Sequence, residues 1–247
     1  MMLSGVALAQ VATPEPLPPF LAECQARGAT IEGEVPLRNV ITAIEERRAI
    51  RILAIGTSAA QRSKASYTEQ IEQLLENTFK GIDVVMINRG VSGELAADAA
   101  TRIQTEVALT EPDLVLWQVG TNDALARVPL DELEDTVTDT IRWLKDHNVD
   151  VVLAGLQFAK LTAQDPHYRA ARELMRRIAA QESVIIVRRY DAMRFIAGSA
   201  SPEGGAIAGE SEWAVDYRCL AQYFARAITI GVFGKGPRVL PAAPAQQ

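Results

Sequence analysis

The chain has 247 residues, a formal net charge of −6 at pH 7 and 48% hydrophobic residues. This apolar content suffices for a large core and excludes a globally disordered chain, and the length suits one large domain or two small ones. The acidic balance and the lack of a Lys/Arg block argue against nucleic-acid binding. No apolar run reaches the roughly 18 residues that would predict a transmembrane helix.

The N-terminal region contains a weak export signal. Ala7-Leu8-Ala9 fits a small-x-small cleavage pattern after a short apolar piece, and a Pro-rich segment follows from Gln10. Because no basic region precedes the apolar piece, we expect the tail of a secretion signal whose start lies upstream. Residues 1–35 are therefore predicted as signal remnant and lead, with export to the periplasm or the medium; the alternative is a cytosolic protein with an irregular N-terminus.

Short apolar runs alternate with amphipathic segments through the rest of the chain. In the segment 131–147, for example, Leu133, Val137, Ile141 and Leu144 recur at helical spacing. In chain order the patterns predict a helix at 36–49, a strand at 51–55, a helix at 66–79, a strand at 82–88, a helix at 94–108, a strand at 113–119, a helix at 131–147, a strand at 151–156, a helix at 168–180, a strand at 184–187 and a helix at 212–230.

This alternation is typical of an α/β protein with a parallel sheet covered by helices on both faces. We expect a three-layer α/β/α fold with a five-stranded parallel sheet, formed as a single domain by residues 36–232. The Pro/Ala-rich tail at 233–247 is predicted to be disordered.

In such a sheet, ligands bind outside the carboxyl ends of the strands. The segments that follow the first four predicted strands are GTS (56–58), NRGVSGE (88–94), GTND (120–123) and QFAKLTAQDPH (157–167). Each is unremarkable alone; GTND, for instance, also suits a turn in which Asn122 or Asp123 caps the next helix. Together they place a hydroxyl, a closely approaching backbone N–H and an amide at one edge. That set suits acyl transfer, with Ser58 as nucleophile and Gly93 and Asn122 as oxyanion donors.

The same segments resemble those of the SGNH (GDSL-type) hydrolases, a family of esterases, thioesterases, lysophospholipases and carbohydrate deacetylases. The most specific pieces are INRGVSGELAAD (87–98) and VLWQVGTNDAL (115–125), and the resemblance extends over residues 50–231. It implies a flavodoxin-like α/β/α fold and the catalytic roles just given to Ser58, Gly93 and Asn122. The chain departs from the family at Thr57, where an Asp is usual.

The general base of the family is missing from its usual place. The family has an Asp-x-x-His motif shortly before its last helix, where this chain reads AIAGESEWAV (206–215) with Ala208 and Ser211 at the acid and base positions. His167, with Asp165 two residues earlier, is the first candidate for a relocated base. The alternatives are that His167 is an ordinary residue in the first turn of a helix, or that Glu210 or Glu212, which flank Ser211, acts as a weak base.

The chain has two cysteines, Cys24 and Cys219. In an exported protein this even count predicts one disulfide, which would close most of the chain into a loop. In a cytosolic protein two separate buried thiols are expected.

Three functions remain open from the sequence. The first is an ester hydrolase that acts on an acyl or acetyl ester of a small molecule or glycan. The second is a degenerate relative that binds an acylated envelope glycan or lipid without turnover. The third, a phosphate or nucleotide binder that uses residues 56–63, is disfavoured because neither phosphate-binding Gly motif follows a strand. No cofactor or metal is expected, since no cluster has zinc-ligand spacing. The oligomeric state stays open.

Overall fold

The computed structural model describes residues 17, 19–21, 24–25, 30–56, 67–158, 160–199 and 212–234. The strands in these residues are β1 (Ile31–Glu32), β2 (Ile50–Ile55), β3 (Val84–Asn88), β4 (Leu114–Gln118), β5 (Asp150–Ala154) and β6 (Ile185–Val187). The helices are α1 (Arg38–Glu45), α2 (Tyr67–Thr78), α3 (Ala96–Thr110), α4 (Thr121–Ala126), α5 (Leu130–Asp146), α6 (Pro166–Gln181), α7 (Arg189–Ser199) and α8 (Glu212–Phe233), with a short 3-10 helix at Lys160–Thr162.

The strands form a single sheet in the order β1-β6-β5-β4-β2-β3. The strands from β2 to β6 are mutually parallel, as expected, whereas β1 pairs antiparallel with β6 through Ile31 and Glu32. Within the described residues the sheet therefore has six strands instead of the predicted five. A strand of two residues is too short to show an apolar/polar alternation, so β1 was not predicted.

Helices cover both faces of the sheet because successive strand residues point to opposite sides. In β2, Ile52 and Ala54 pack in the cluster formed with α1, α2 and α8. Leu53 and Ile55 pack in a second cluster on the other face, with α3, α5 and α6. Burial on both sides accounts for the nearly continuous apolar runs of the strands. The predicted three-layer α/β/α fold is confirmed.

Two helices were not expected from the sequence. The six residues of α4 are too few for an apolar repeat. In α7, Tyr190 packs in the cluster on one face of the sheet and Ala192 in the cluster on the other. A helix that contacts both clusters has no single apolar stripe, so its sequence does not show the apolar repeat that predicts a helix.

The predicted disulfide between Cys24 and Cys219 is present, with a Cα–Cα distance of 5.2 Å. It joins the N-terminal lead to α8. Around it the Phe20 ring lies 5.2 Å from that of Tyr223, and the Tyr223 hydroxyl donates to the Cys24 carbonyl oxygen. Over the ranges that the structure covers, no helix is long and apolar enough to cross a bilayer.

Candidate functional site

The sheet topology predicts where a ligand binds. The chain moves outward from β2 to β3 and then returns to the other side of β2 to form β4, so the direction of winding reverses between β2 and β4. In open α/β sheets the crevice at this reversal, outside the carboxyl ends of the strands, is the usual binding site. A cleft lies there, lined among others by Gly56, Glu94, Asn122, Gly155 and Arg189, which follow β2, β3, β4, β5 and β6.

Gly56 ends β2 with a backbone that only glycine suits. Its φ is +132°, and a Cβ at this position would lie 2.6 Å from Gln118 Cβ and 2.7 Å from the Gln118 carbonyl oxygen. The lack of a side chain thus lets the end of β2 pack directly against the end of β4. Thr57 and Ser58 come next in the sequence and lie outside the described residues.

The turn after β3 lies against the helix after β4. The side-chain amide of Asn122 donates a 2.8 Å hydrogen bond to the carbonyl oxygen of Glu94. Gly93, one residue earlier, has φ of +80° and open space where a Cβ would stand. Two of the three proposed catalytic residues, Gly93 and Asn122, therefore belong to segments in direct contact at the cleft.

Among the residues that the structure describes, two carboxylates line the cleft, and neighbouring groups bond to both of them. Glu94 accepts two hydrogen bonds of 2.7 Å from Arg102. Asp123 is 3% exposed and accepts from the Ala96 backbone N–H at 2.8 Å. Burial raises the pKa of Asp123, and the hydrogen bond from Ala96 works against this rise. Both carboxylates therefore stabilise the segments that form the cleft.

Asp123 bonds to the ends of two helices. Its carboxylate interacts with the backbone N–H groups of Asp123 itself and of Gly120, the N-cap of α4. It also accepts from the backbone N–H of Ala96, the first residue of α3. The interaction joins residues 27 positions apart, so a search for local capping patterns does not reveal it.

A buried polar chain runs beside the cleft. The Gln118 side chain donates to the Tyr67 hydroxyl at 2.9 Å and accepts from Arg189 at 3.3 Å. Burial raises the pKa of Tyr67, which keeps this hydroxyl neutral. Since Gln118 also packs against Gly56, it contacts the residues on both sides of segment 57–66, where Ser58 lies.

Arg189 also lines the cleft, although it does not belong to the four strand ends from which the site was predicted. The segment VIIVRRYD (184–191) contains the fifth predicted strand, and Arg189 follows it by two residues. Applying the strand-end rule to this segment would have identified it. Gln118 could not be found in this way, because it lies within β4.

Asp165 and His167 lie at the start of α6. The Asp165 carboxylate caps the helix by accepting from the backbone N–H groups of His167 and Tyr168, and both of its oxygens pair with Arg127 at 2.9 and 2.6 Å. Burial tends to raise the pKa of Asp165, but the hydrogen bonds from Tyr168 and Arg127 outweigh it and lower the pKa. Asp165 thus contacts the backbone of His167 and not its ring.

His167 is not among the residues that line the cleft. Its Nε2 is buried and makes no hydrogen bond to any residue in the described ranges. Ala208 and Ser211, at the acid and base positions of the family, lie outside the described residues, as does the carboxylate Glu210. Glu212, the other carboxylate near Ser211, is the first residue of α8.

Comparisons with known proteins relate the chain to lipases and esterases. The family model of the non-GDSL lipase-like family matches residues 23–233. An arylesterase from Vibrio mimicus is 27% identical over 109 residues, which are 43% of this chain and 54% of the arylesterase. The chain therefore aligns with about half the length of this curated relative.

Solved structures share the fold. TesA superposes with a TM-score of 0.58 at 20% identity, covering 74% of this chain and 99% of TesA. The acetylxylan esterase Axe2 from Geobacillus stearothermophilus gives a TM-score of 0.60 at 21% identity, covering 72% of this chain and 94% of Axe2. At this level of identity the likeness establishes the fold alone. With the family match, it confirms the expected relationship to the SGNH-type hydrolases.

Proposed function

Because the chain belongs to the non-GDSL lipase-like family, we propose that it is a serine ester hydrolase acting on an acyl or acetyl ester of a small molecule or glycan. The observation that carries the proposal is the hydrogen bond from Asn122 to Glu94, which holds the amide next to the Gly93 turn at the cleft. Hydrogen-bond donors held rigidly at a cleft are what stabilisation of an oxyanion requires.

In the proposed reaction, the Ser58 hydroxyl attacks the ester carbonyl carbon and its proton passes to a base. A primary amide has two N–H groups, so Asn122 can keep its bond to Glu94 and donate the second N–H to the oxyanion. The Gly93 backbone N–H is the other donor. Collapse of the tetrahedral intermediate expels the alcohol and leaves an acyl-enzyme, which water then hydrolyses to the carboxylic acid. His167 is the first candidate for the base.

A second candidate function is ligand binding without turnover. Two observations favour it: Ser211 stands where the family has its catalytic histidine, and Asp165 bonds to Arg127 instead of orienting the ring of His167. Where a catalytic triad acts as a unit, loss of the base alone lowers kcat by about 10⁶. Such a protein would still bind an acylated glycan or lipid in its cleft.

Hydrolysis of p-nitrophenyl acetate separates the two functions. In an active hydrolase, Ser58→Ala should abolish turnover, and Asn122→Ala should lower kcat by about 10²–10³ with little change in KM. Ser183→Ala, at the opposite edge of the sheet, is the matched control and should retain full activity. Equal rates in wild type and Ser58→Ala would refute the hydrolase mechanism.

Covalent labelling tests the nucleophile independently of the substrate. A fluorophosphonate probe should phosphonylate Ser58 with loss of fluoride, and mass spectrometry of the digested protein locates the adduct. An adduct on another serine would exclude Ser58 as the reactive residue. If His167→Ala retains full turnover in the ester assay, His167 is not the base.

We further propose that the protein functions outside the cytoplasm, in the periplasm or the medium. The Cys24–Cys219 disulfide supports this, because such bonds persist in oxidising compartments. Fractionation of the native host should recover the oxidised protein outside the cytoplasm. Recovery of the reduced protein in the cytoplasm would contradict the proposal.

A further inference from the structure

We propose that a second cavity, at the edge of the sheet opposite the cleft, binds a small carboxylate that carries an apolar chain. The cavity has a volume of about 340 Å³, which lies in the range of pockets that bind small molecules. Asp150, the first residue of β5, lines this cavity, whereas Gly155, which follows β5, lines the cleft. The length of β5 separates the two sites by roughly 16 Å. A ligand at this edge therefore leaves the cleft open, and its binding does not depend on ester hydrolysis.

The walls of the cavity are fixed by hydrogen bonds within the fold. On one side the backbone N–H of Leu37 donates to the carbonyl oxygen of Gly231 in α8 at 3.0 Å. On the other side the Asp150 carboxylate accepts from the backbone N–H groups of Asn39 and Val40 at 2.9 and 3.1 Å, which fixes the start of α1 against β5. The cavity is therefore preformed, and a ligand pays little for reorganisation of the protein.

The floor of the cavity is apolar. Water at such a surface finds few hydrogen-bond partners, whereas an alkyl chain gains free energy by leaving water. The lining therefore favours a ligand with an aliphatic chain. The buried apolar residues that form this floor are Leu37, Val149, Val151, Val184 and Ile185.

Two exposed cationic side chains, Arg38 and Lys145, line the same cavity. Within the described residues the Arg38 guanidinium makes no hydrogen bond or ion pair, so its five N–H donors can bind a ligand. The Lys145 ammonium donates to the Glu182 carbonyl oxygen, which leaves two of its three N–H donors. The Glu182 carboxylate pairs with Arg142 at 2.7 Å, so its charge is balanced. Both cations can therefore attract an anion.

Among the described residues that line the cavity, Asp150 is the sole carboxylate. Both of its oxygens accept hydrogen bonds at the start of α1, including one of 3.1 Å from the Asn39 side-chain amide, and its charge lies at the positive end of that helix dipole. Two cations against one carboxylate leave an excess of one positive charge. This excess matches the single negative charge of a monocarboxylate.

Calorimetric titration with straight-chain carboxylates tests the site. Wild type should bind hexanoate, octanoate and decanoate with a Kd that falls about three- to fourfold for each added methylene, because each methylene leaves water on binding. Octanamide has the same chain as octanoate and no charge, so it should bind about tenfold more weakly. Equal affinity for octanoate and octanamide, or no binding of either, would overturn the proposal.

Variants show whether the charge of the cavity is responsible. Arg38→Gln and Lys145→Gln should each weaken octanoate binding by about two- to fivefold, as expected for an ion pair at an exposed position. Arg169→Gln removes an exposed cation of α6 that does not line the cavity, and Asn122→Ala removes an amide of the cleft. Both control variants should bind octanoate like wild type. Binding that is lost in Asn122→Ala and retained in Arg38→Gln would place the carboxylate in the cleft and overturn the proposal.

Photolabelling of wild type locates the ligand without any variant. A decanoate analogue with a diazirine in its chain loses N₂ on irradiation, and the resulting carbene inserts into a neighbouring C–H bond. Mass spectrometry of the digested protein should find the adducts within residues 35–39, 149–151 or 184–185, and excess octanoate should suppress them. Adducts confined to other segments would overturn the proposal. Since none of these measurements involves ester turnover, the result is independent of whether the protein hydrolyses esters.

Discussion

Removal of the Cys24–Cys219 disulfide should destabilise the protein mainly through the unfolded chain. The bond joins residues 195 positions apart and so closes most of the chain into one loop. Without it the unfolded chain gains conformational entropy, whereas most contacts of the folded state remain. The chain-entropy treatment assigns a loop of this length about 5 kcal/mol at 25 °C.

This magnitude is large beside the whole stability of a domain, which is about 5–15 kcal/mol. The packing lost directly with the two buried sulfur atoms is smaller, on the order of 1 kcal/mol each. Contacts beside the bond can keep the lead on α8 when the bond is absent: Leu21 N–H donates to the Gln222 side chain at 3.1 Å, and the Arg226 guanidinium lies 3.9 Å from the centre of the Phe20 ring. The cross-link should therefore dominate the loss.

A double-mutant cycle measured by urea unfolding tests this reasoning. Cys24→Ala, Cys219→Ala and the double variant all lack the bond, so each should lose about 5 kcal/mol and the losses should be far from additive. The m-value should rise in all three, since an open unfolded chain exposes more surface. Wild type in reducing agent is the matched control and should behave like the double variant.

Additive losses in the two single variants would refute the cross-link as the source, because they would show that each cysteine contributes through its own packing. A loss below about 2 kcal/mol in the double variant would also refute it, since the closed loop would then contribute little.

Three further predictions concern the cleft. Gly120 has φ of +94°, and a Cβ there would lie 2.8 Å from the Leu156 side chain, so Gly120→Ala should cost about 2–5 kcal/mol of stability. The control Gly81→Ala, with φ of +81° and no neighbour within 4 Å, should cost about 1–2 kcal/mol. Equal losses in the two variants would show that the contact with Leu156 is unimportant. Burial raises the folded-state pKa of Asp123, so the native state binds its proton more tightly than the unfolded chain does. Wild type should therefore lose stability relative to Asp123→Asn as the pH rises above about 4, the ordinary pKa of an aspartate, and parallel pH profiles would contradict this. Gln118→Ala and Tyr67→Phe should each lower the free energy of unfolding by about 1–3 kcal/mol, because each removes the hydrogen bond between these side chains. The double variant should lose less than the sum of the two single losses. Strictly additive losses would argue against the hydrogen bond.

The sequence by itself determined the layered fold and the edge of the sheet at which the candidate site lies. Alternating apolar runs and amphipathic segments predicted parallel strands with helices on both faces, because those periodicities follow from local backbone geometry. Parallel strands end at one edge, so the contact between the Gly93 turn and Asn122 could be expected before the structure was known. The even number of cysteines predicted the disulfide for an exported protein, whereas two separate thiols were the alternative, and the structure contains the bond.

The partners of individual polar side chains were decided only by the tertiary structure. Asp123 bonds to the first residue of α3 as well as to its own helix, Asp165 binds Arg127, and Gln118 meets Arg189 across 71 positions of sequence. A turn or a helix depends on residues that are close in the sequence, so its pattern can be read from neighbouring positions. A hydrogen bond between distant side chains forms only where the completed fold brings donor and acceptor atoms within about 3 Å of each other. The local sequence around either residue does not predict that distance.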